Sequence, residues 1–209
     1  MNYPQIIKNT ADYFSTKIKK YKDNPLGVDW NSVSAQEIRQ DQILKIIKTK
    51  KNFSLNDIGC GYGHLFKYMK KKKFSNFIYK GSDISPEMIK FAKIKNKKSN
   101  IQLKLISSID KITTTDYCVA SGIFNMKQKE KTKVWQTYVL KSLSQINQKS
   151  LKGFSFNMLT SYSNKKFRRS DLYYGDPVFY FDFCKKNFSK NVTLLHDYGL
   201  YDFTILVRR

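Results

Sequence analysis

The sequence predicts an α/β protein whose mostly parallel sheet ends in an antiparallel hairpin. Three observations carry that expectation. An apolar run (Phe53, Leu55, Ile58) meets glycines at alternate positions 59, 61 and 63, and a helical pattern follows (Leu65, Phe66, Tyr68, Met69). Strand-like and helix-like stretches then alternate, as βαβ units in a parallel sheet do. Near the end, only residues 197 to about 202 separate the apolar runs 192–195 and 203–207. So short a link joins antiparallel neighbours.

Taken in order, residues 1 to about 50 precede the first strand. Tyr13, Phe14, Ile18 and Tyr21 form an aromatic stripe at near-helical spacing, and Asn24-Pro25-Leu26-Gly27 breaks it. A second helix is expected from Ser34 as N-cap with Glu37 three residues on, a capping box. Ile38, Ile43, Leu44, Ile46 and Ile47 supply its buried side. Strands are expected near 53–58, 77–82, 101–106 and 116–121, with helices near 62–72 and 86–97. A long helix spans about 130–148 on Val134, Tyr138, Leu140, Leu143 and Ile146. Gly153 starts a strand that runs to 159, and Asp176-Pro177 opens a helix to about 187. Between them lies a polar, aromatic and basic stretch; loops of that length are functional or disordered.

Length predicts one domain, and a hydrophobic fraction of 41% is enough for a full core. No run of about 18 apolar residues suggests a transmembrane helix. The start, Met1-Asn2-Tyr3-Pro4-Gln5, lacks a secretory pattern. Cys60, Cys118 and Cys184 show neither CxxC nor Cys/His spacing, so they read as buried thiols in a reducing, cytoplasmic setting, with no metal expected. Net charge is +23, nearly all from lysine; the arginines are 39, 168, 169, 208 and 209. Coding bias accounts for abundant lysine, yet acids are scarce, 16 against 39 basic residues. That permits an anionic partner: a nucleotide-linked substrate, a charged glycan, RNA or a membrane surface. The lysines are scattered, so a solvated face and a nucleic-acid footprint both stay open.

Glycine permits positive φ and lets a ligand touch bare main chain, beside the free N–H groups of a helix start. A dinucleotide cradle needs G-x-G-x-x-G, but the third position here is His64. What stands instead is Asp57-x-Gly59-x-Gly61-x-Gly63, followed by Asp83 at the end of the next strand and a helix opening at Ser85-Pro86-Glu87-Met88. This resembles motif I and its acidic partner in class I S-adenosylmethionine-dependent methyltransferases. The resemblance covers about residues 50–209. It implies a Rossmann-like, seven-stranded, three-layer αβα domain over 51–209, with residues 1–50 as a helical cap over the cofactor. S-adenosylmethionine would be the methyl donor and S-adenosylhomocysteine the product. By the same resemblance, Asp57, Gly59, Cys60 and Gly61 form the turn, and Asp83 with Ile84 meets the ribose. Ser108, Ile109 and Asp110 lie toward the adenine, unless Asp110 is a plain loop residue. Ser121 and Gly122 would cradle the methionine end near the methyl. Asn125 follows in Ser-Gly-Ile-Phe-Asn, where base amino-methyltransferases carry Asn/Asp-Pro-Pro-aromatic; that departure counts against nucleobase amines.

Ligands of open α/β sheets bind beyond the carboxyl ends of the strands. Around that crevice the cap offers Trp30 and Arg39 toward the cofactor and Tyr13 toward an acceptor. Arg39 would pair with the methionine carboxylate or form a surface ion pair. Asn125 and His196 are the catalytic candidates. His196, oriented by Asp197, would serve a hydroxyl acceptor as general base, or be a neutral structural histidine. The base role requires its strand to end on the ligand side of the sheet. His64 packs or caps. Arg168, Arg169, Tyr173 and Tyr174 suit a sugar face or a phosphate, though both tyrosines also fit a core. The expected function is methylation of an oxygen or nitrogen on a small or carbohydrate-linked acceptor, in polysaccharide or secondary-metabolite synthesis. A chain of little more than fold and cap favours a small acceptor. The alternatives are an RNA or protein methyltransferase, or a non-catalytic S-adenosylmethionine-binding subunit.

Overall fold

The computed structural model describes residues 3–22 and 24–209; Met1 and Asn2, part of the segment read for a leader pattern, lie outside them. The elements are α1 (Tyr3–Tyr21), α2 (Val33–Leu44), β1 (Lys51–Ile58), α3 (His64–Lys71), β2 (Ser75–Asp83), α4 (Pro86–Lys95) and β3 (Gln102–Leu105). Then come β4 (Thr115–Ala120), α5 (Thr132–Gln148), β5 (Ser150–Leu159), α6 (Pro177–Asn187), β6 (Asn191–Leu195) and β7 (Asp202–Arg208). No helix among the described residues is long and apolar enough to cross a membrane.

The seven strands run in the order β3-β2-β1-β4-β5-β7-β6. β1 to β5 pair in parallel, while β7 is antiparallel to both neighbours. It follows that β6 points the same way as β1 to β5. Its end at Leu195 is therefore on the ligand side, which resolves the geometric question about His196.

Side chains alternate between two apolar layers, as the two-residue period of a strand requires. Leu55, Tyr117, Val119 and Leu206 face Ile43 of α2 and Leu65, Phe66 and Met69 of α3. Ile58, Cys118, Ala120, Phe154, Phe156 and Ile205 face α5 and α6 through Trp135, Val139, Leu143 and Tyr180. Both faces of the central strands are covered, so those strands read as nearly unbroken apolar runs. Ser155 faces α2 and its hydroxyl donates to the Ile43 carbonyl at 2.8 Å, bringing that helix onto the sheet.

α2 differs from its expected form. Its N-cap is Ser32, whose Oγ accepts from the Ala35 amide at 3.1 Å, and the helix begins at Val33. Ser34 Oγ bonds Ser32 Oγ instead, and Glu37 is drawn to Lys71. The lysine of a neighbouring helix outbids the reciprocal bond of a capping box. Ile46 and Ile47 are buried after the helix has ended at Leu44. Within α2 the expected Ile43 and Leu44 are buried and Ile38 is half-buried, but Gln36, Arg39, Gln40 and Gln42 are buried as well, so its inner face is mixed. Ser32→Ala should cost about 1 kcal/mol in urea melts, while Ser34→Ala should stay within about 0.5 kcal/mol of wild type. Equal losses would return the cap to Ser34.

Candidate active site

Three strand ends converge on one cleft. β1 runs into a turn in which Gly59, Gly61 and Gly63 take φ of 74°, 53° and 80°. The turn is folded on itself, because the amides of Gly59 and Cys60 both donate to the Ser82 carbonyl at 2.8 and 3.0 Å. Asp83, at the end of β2, closes it. One carboxylate oxygen accepts from the Gly61 amide and the other from the Ser85 amide, each at 2.9 Å. Ser85 in turn caps α4, accepting from the Met88 amide at 3.1 Å.

The cleft is lined by Asp57, Gly59, Cys60, Gly61, Asp83 and Ile84 on one bank. Ser108, Ile109, Ser121 and Gly122 line the other, and Thr10, Phe14 and Trp30 close it from the N-terminal segment. Asp57 and Asp83 are both buried. The Tyr79 hydroxyl donates to Asp57. Burial pushes the Asp57 carboxyl up to about 7; the Tyr79 bond opposes the rise and the nearby Asp83 adds to it. Asp83 is also raised by burial, against the pull of its main-chain amides. His64 shares a 3.0 Å bond with Gln40, and burial lowers its pKa, which favours the neutral ring. Among the described residues no lysine or arginine lines this cleft. Two carboxylates without a cation suit a neutral or cationic ligand and oppose a pyrophosphate, in agreement with the glycine spacing.

A second cavity, of about 360 Å³, adjoins the first. Phe14, Val28, Trp30 and Gly122 belong to the walls of both. The rest of its wall includes Asn125, Met126, Leu159, Arg169, Tyr174 and Tyr201. The partition is tight. A Cβ on Gly122, itself at φ 74°, would stand 2.5 Å from the Trp30 ring, and one on Gly61 would stand 2.9 Å from Val28. Asn157, fully buried on β5, fixes the loop behind the partition: its Oδ1 accepts from the Gly122 amide at 2.7 Å and its Nδ2 donates to Ser121 Oγ at 3.0 Å.

A sequence profile described as a methyltransferase domain matches residues 56–138, the span from the glycine turn into α5. The chain is 46% identical over 167 residues to the Mycobacterium tuberculosis protein named "Putative methyltransferase Rv1506c", covering 79% of this chain and 99% of that one. This chain belongs to the methyltransferase-domain family. The fold agrees with solved methyltransferases. Magnesium protoporphyrin IX methyltransferase from Synechocystis PCC 6803 matches with a TM-score of 0.68 at 14% identity, covering 97% of this chain and 99% of that one. A SAM-dependent methyltransferase from Aquifex aeolicus matches with 0.57 at 19% identity, covering 92% and 96%.

Several expected site residues of this methyltransferase stand away from the cavity expected of them. Asp110 is exposed, bonded to Ser108 Oγ and outside the cleft. Arg39 lines the second cavity, not the first; its guanidinium pairs with buried Asp202 and lies 4.2 Å from the Trp30 ring centroid. Its charge is already used inside the protein, so the pair is buried rather than on the surface. Tyr13 borders neither cavity, and its hydroxyl donates to Asp29 at 2.7 Å. Tyr173 is core: its amide donates to the Asn125 carbonyl at 2.7 Å and its hydroxyl meets Tyr180 at 2.8 Å. Arg168 holds its own loop through the carbonyls of Ser161 and Ser163. His196 is exposed beside Tyr162 and Phe203, on the ligand side but outside both cavities, and Asp197 makes no hydrogen bond to it.

Sequence reasoning passed over Tyr79, Asn157 and Gln40. For Tyr79 and Asn157 the signal was a polar group inside an otherwise apolar strand, which needs a three-dimensional partner to interpret; Gln40, among polar neighbours, gave none. Asp57 provides a pH test. Its folded-state pKa is raised, so its contribution to stability is full below 3.8 and is lost as pH climbs toward about 7. Asp57→Asn keeps an acceptor for Tyr79. In thermal melts its stability relative to wild type should improve between pH 5 and pH 8 by on the order of 2 kcal/mol. A pH-independent difference would mean that Asp57 does not titrate in that window.

Proposed function

We propose that this methyltransferase takes its methyl group from S-adenosylmethionine held in the first cleft and delivers it to a small acceptor seated in the second cavity. The observation that carries the reading is the shared partition of Gly122 and Trp30, where one ligand's end would meet the other's flank. A methyltransferase of this fold was crystallised with bound SAH, which supports the same use of the cleft here.

The donor supplies an electrophilic methyl on a positively charged sulfur. The chain's own residues bind, orient and exclude water. Asp83 offers carboxylate lone pairs to ribose hydroxyls while its main-chain bonds keep it in place. Ile84, Ser108 and Ile109 form the wall expected for the base. Bare main chain at Gly59, Cys60 and Gly61, with Asp57 beneath and Ser121–Gly122 opposite, flanks the amino-acid end. Holding nucleophile and methyl close and in line contributes on the order of 7–11 kcal/mol in well-oriented systems. On this reading residues 1–50 supply the cover and 51–209 the methyltransferase domain, although α2 packs in the sheet's own helix layer through Ile43.

Among the expected acceptor contacts, Arg169 and Tyr174 line the second cavity, as does Asn125. Asn125 Oδ1 is engaged by the Leu159 amide at 3.0 Å, and its Nδ2 makes no hydrogen bond among the described residues. That leaves one donor to orient an acceptor. Among the described residues no histidine lines the second cavity, so on this reading the acceptor is nucleophilic without His196 as base. A small molecule, carbohydrate-linked acceptors included, suits a cavity of this size better than RNA does, because no lysine lines it.

Asp83→Ala should weaken S-adenosylhomocysteine binding by more than about tenfold in calorimetry, the scale of one lost charge-assisted pair. Unchanged affinity would remove Asp83 from the binding site and with it the assignment of the first cleft.

A further inference from the structure

The basic surplus of this chain avoids its cavities. Of 39 lysines and arginines, only Arg39 and Arg169 reach the wall of the second cavity, and none reaches the first. Among the described residues the single acid on the second wall is Asp29. Each of the three already has a side-chain partner of opposite charge, fully buried for Arg39 and partly exposed for Arg169. Arg39 pairs with Asp202, which is fully buried. The Arg169 guanidinium makes two bonds to Asp171, from Nε at 3.0 Å and Nη2 at 2.5 Å. Asp29 accepts from Lys17 at 2.7 Å and from the Tyr13 hydroxyl at 2.7 Å.

An anionic acceptor would find no free cation here. To gain one it would have to draw Arg39 away from the buried Asp202, a severe loss, or compete with Asp171 for the partly exposed Arg169. What the cavity does offer is ring surface and uncharged polarity. Phe14, Trp30, Tyr174 and Tyr201 contribute aromatic faces, while Asn125 Nδ2 is an uncharged donor.

We infer that the part of the acceptor seated in the second cavity is an uncharged ring, held by aromatic faces and by hydrogen bonds rather than by ion pairing. The inference rests on the second cavity being the acceptor site. It narrows the anionic options raised by the net charge: phosphate, sulfate or carboxylate groups of a larger acceptor stay outside this cavity.

The test uses the full chain saturated with S-adenosylhomocysteine and two probes with the same ring system, 2-naphthol and 2-naphthoate, titrated by calorimetry at neutral pH. The neutral probe should bind at least about tenfold more tightly. Asp171→Asn releases the Arg169 charge, so it should raise 2-naphthoate affinity about tenfold and leave 2-naphthol within about twofold. Equal or tighter binding of 2-naphthoate to the wild type would overturn the inference. So would indifference of 2-naphthoate to Asp171→Asn, because paired charges would then not be what excludes an anion. If neither probe binds while S-adenosylhomocysteine still does, this inference falls and the assignment of the first cleft stands. Loss of S-adenosylhomocysteine binding itself would bring down the assignment of the cleft.

Discussion

A single carboxylate, that of Asp83, holds the ligand side of this molecule together. It accepts from the glycine turn on one side and from the start of α4 on the other. Ser85, which it positions, caps α4 and also meets Ser15 of α1 at 2.8 Å. The turn after β1, the helix after β2 and the N-terminal cover are thus linked through two polar residues, Asp83 and Ser85, two positions apart. Such a group is worth most when desolvated, since its main-chain bonds are then exchanged with little water. Burial also raises its pKa. The carboxylate that shapes the cleft is therefore less inclined to ionise than a surface aspartate, and its amide partners are what keep the charged form accessible.

Charge is sorted in space. The lysines crowd the outer surface, as at Lys70–Lys73 around the end of α3, where three of them lie over aromatic rings. The cavities hold carboxylates and paired ions instead. A net charge of +23 acts on the approach of molecules from a distance, while the walls decide what stays. The two need not favour the same ligand.

Most of the fold was legible in the sequence, because strand periodicity, glycine turns and the short final link are local signals. The cleft was legible too, where the signal was a spaced motif: Asp57, Gly59, Gly61 and Asp83 come together as the resemblance implies. Legibility failed where a residue's role depends on a distant partner. Arg39 is answered by Asp202, 163 positions away. For Tyr173 the sequence left loop contact and core both open, and Tyr180 with the Asn125 carbonyl decides for the core. His196 sits on the correct side of the sheet yet beyond the cavity rim, since β6 is the outermost strand. The cap of α2 was missed by two residues because Glu37 had a better partner on another helix.

The contact between the Trp30 ring and the bare α-carbon of Gly122 has a consequence for how this chain can diverge. Together with Val28 against Gly61, it makes positions 28 and 30 read the absence of a methyl group on two separate loops. Alanine at 122 would demand a smaller neighbour at 30, and a bulkier 61 a slimmer 28. Space alone does not free these glycines, since both take a positive φ that strains any side chain; a lineage that reshapes position 28 or 30 should keep glycine at 61 and 122.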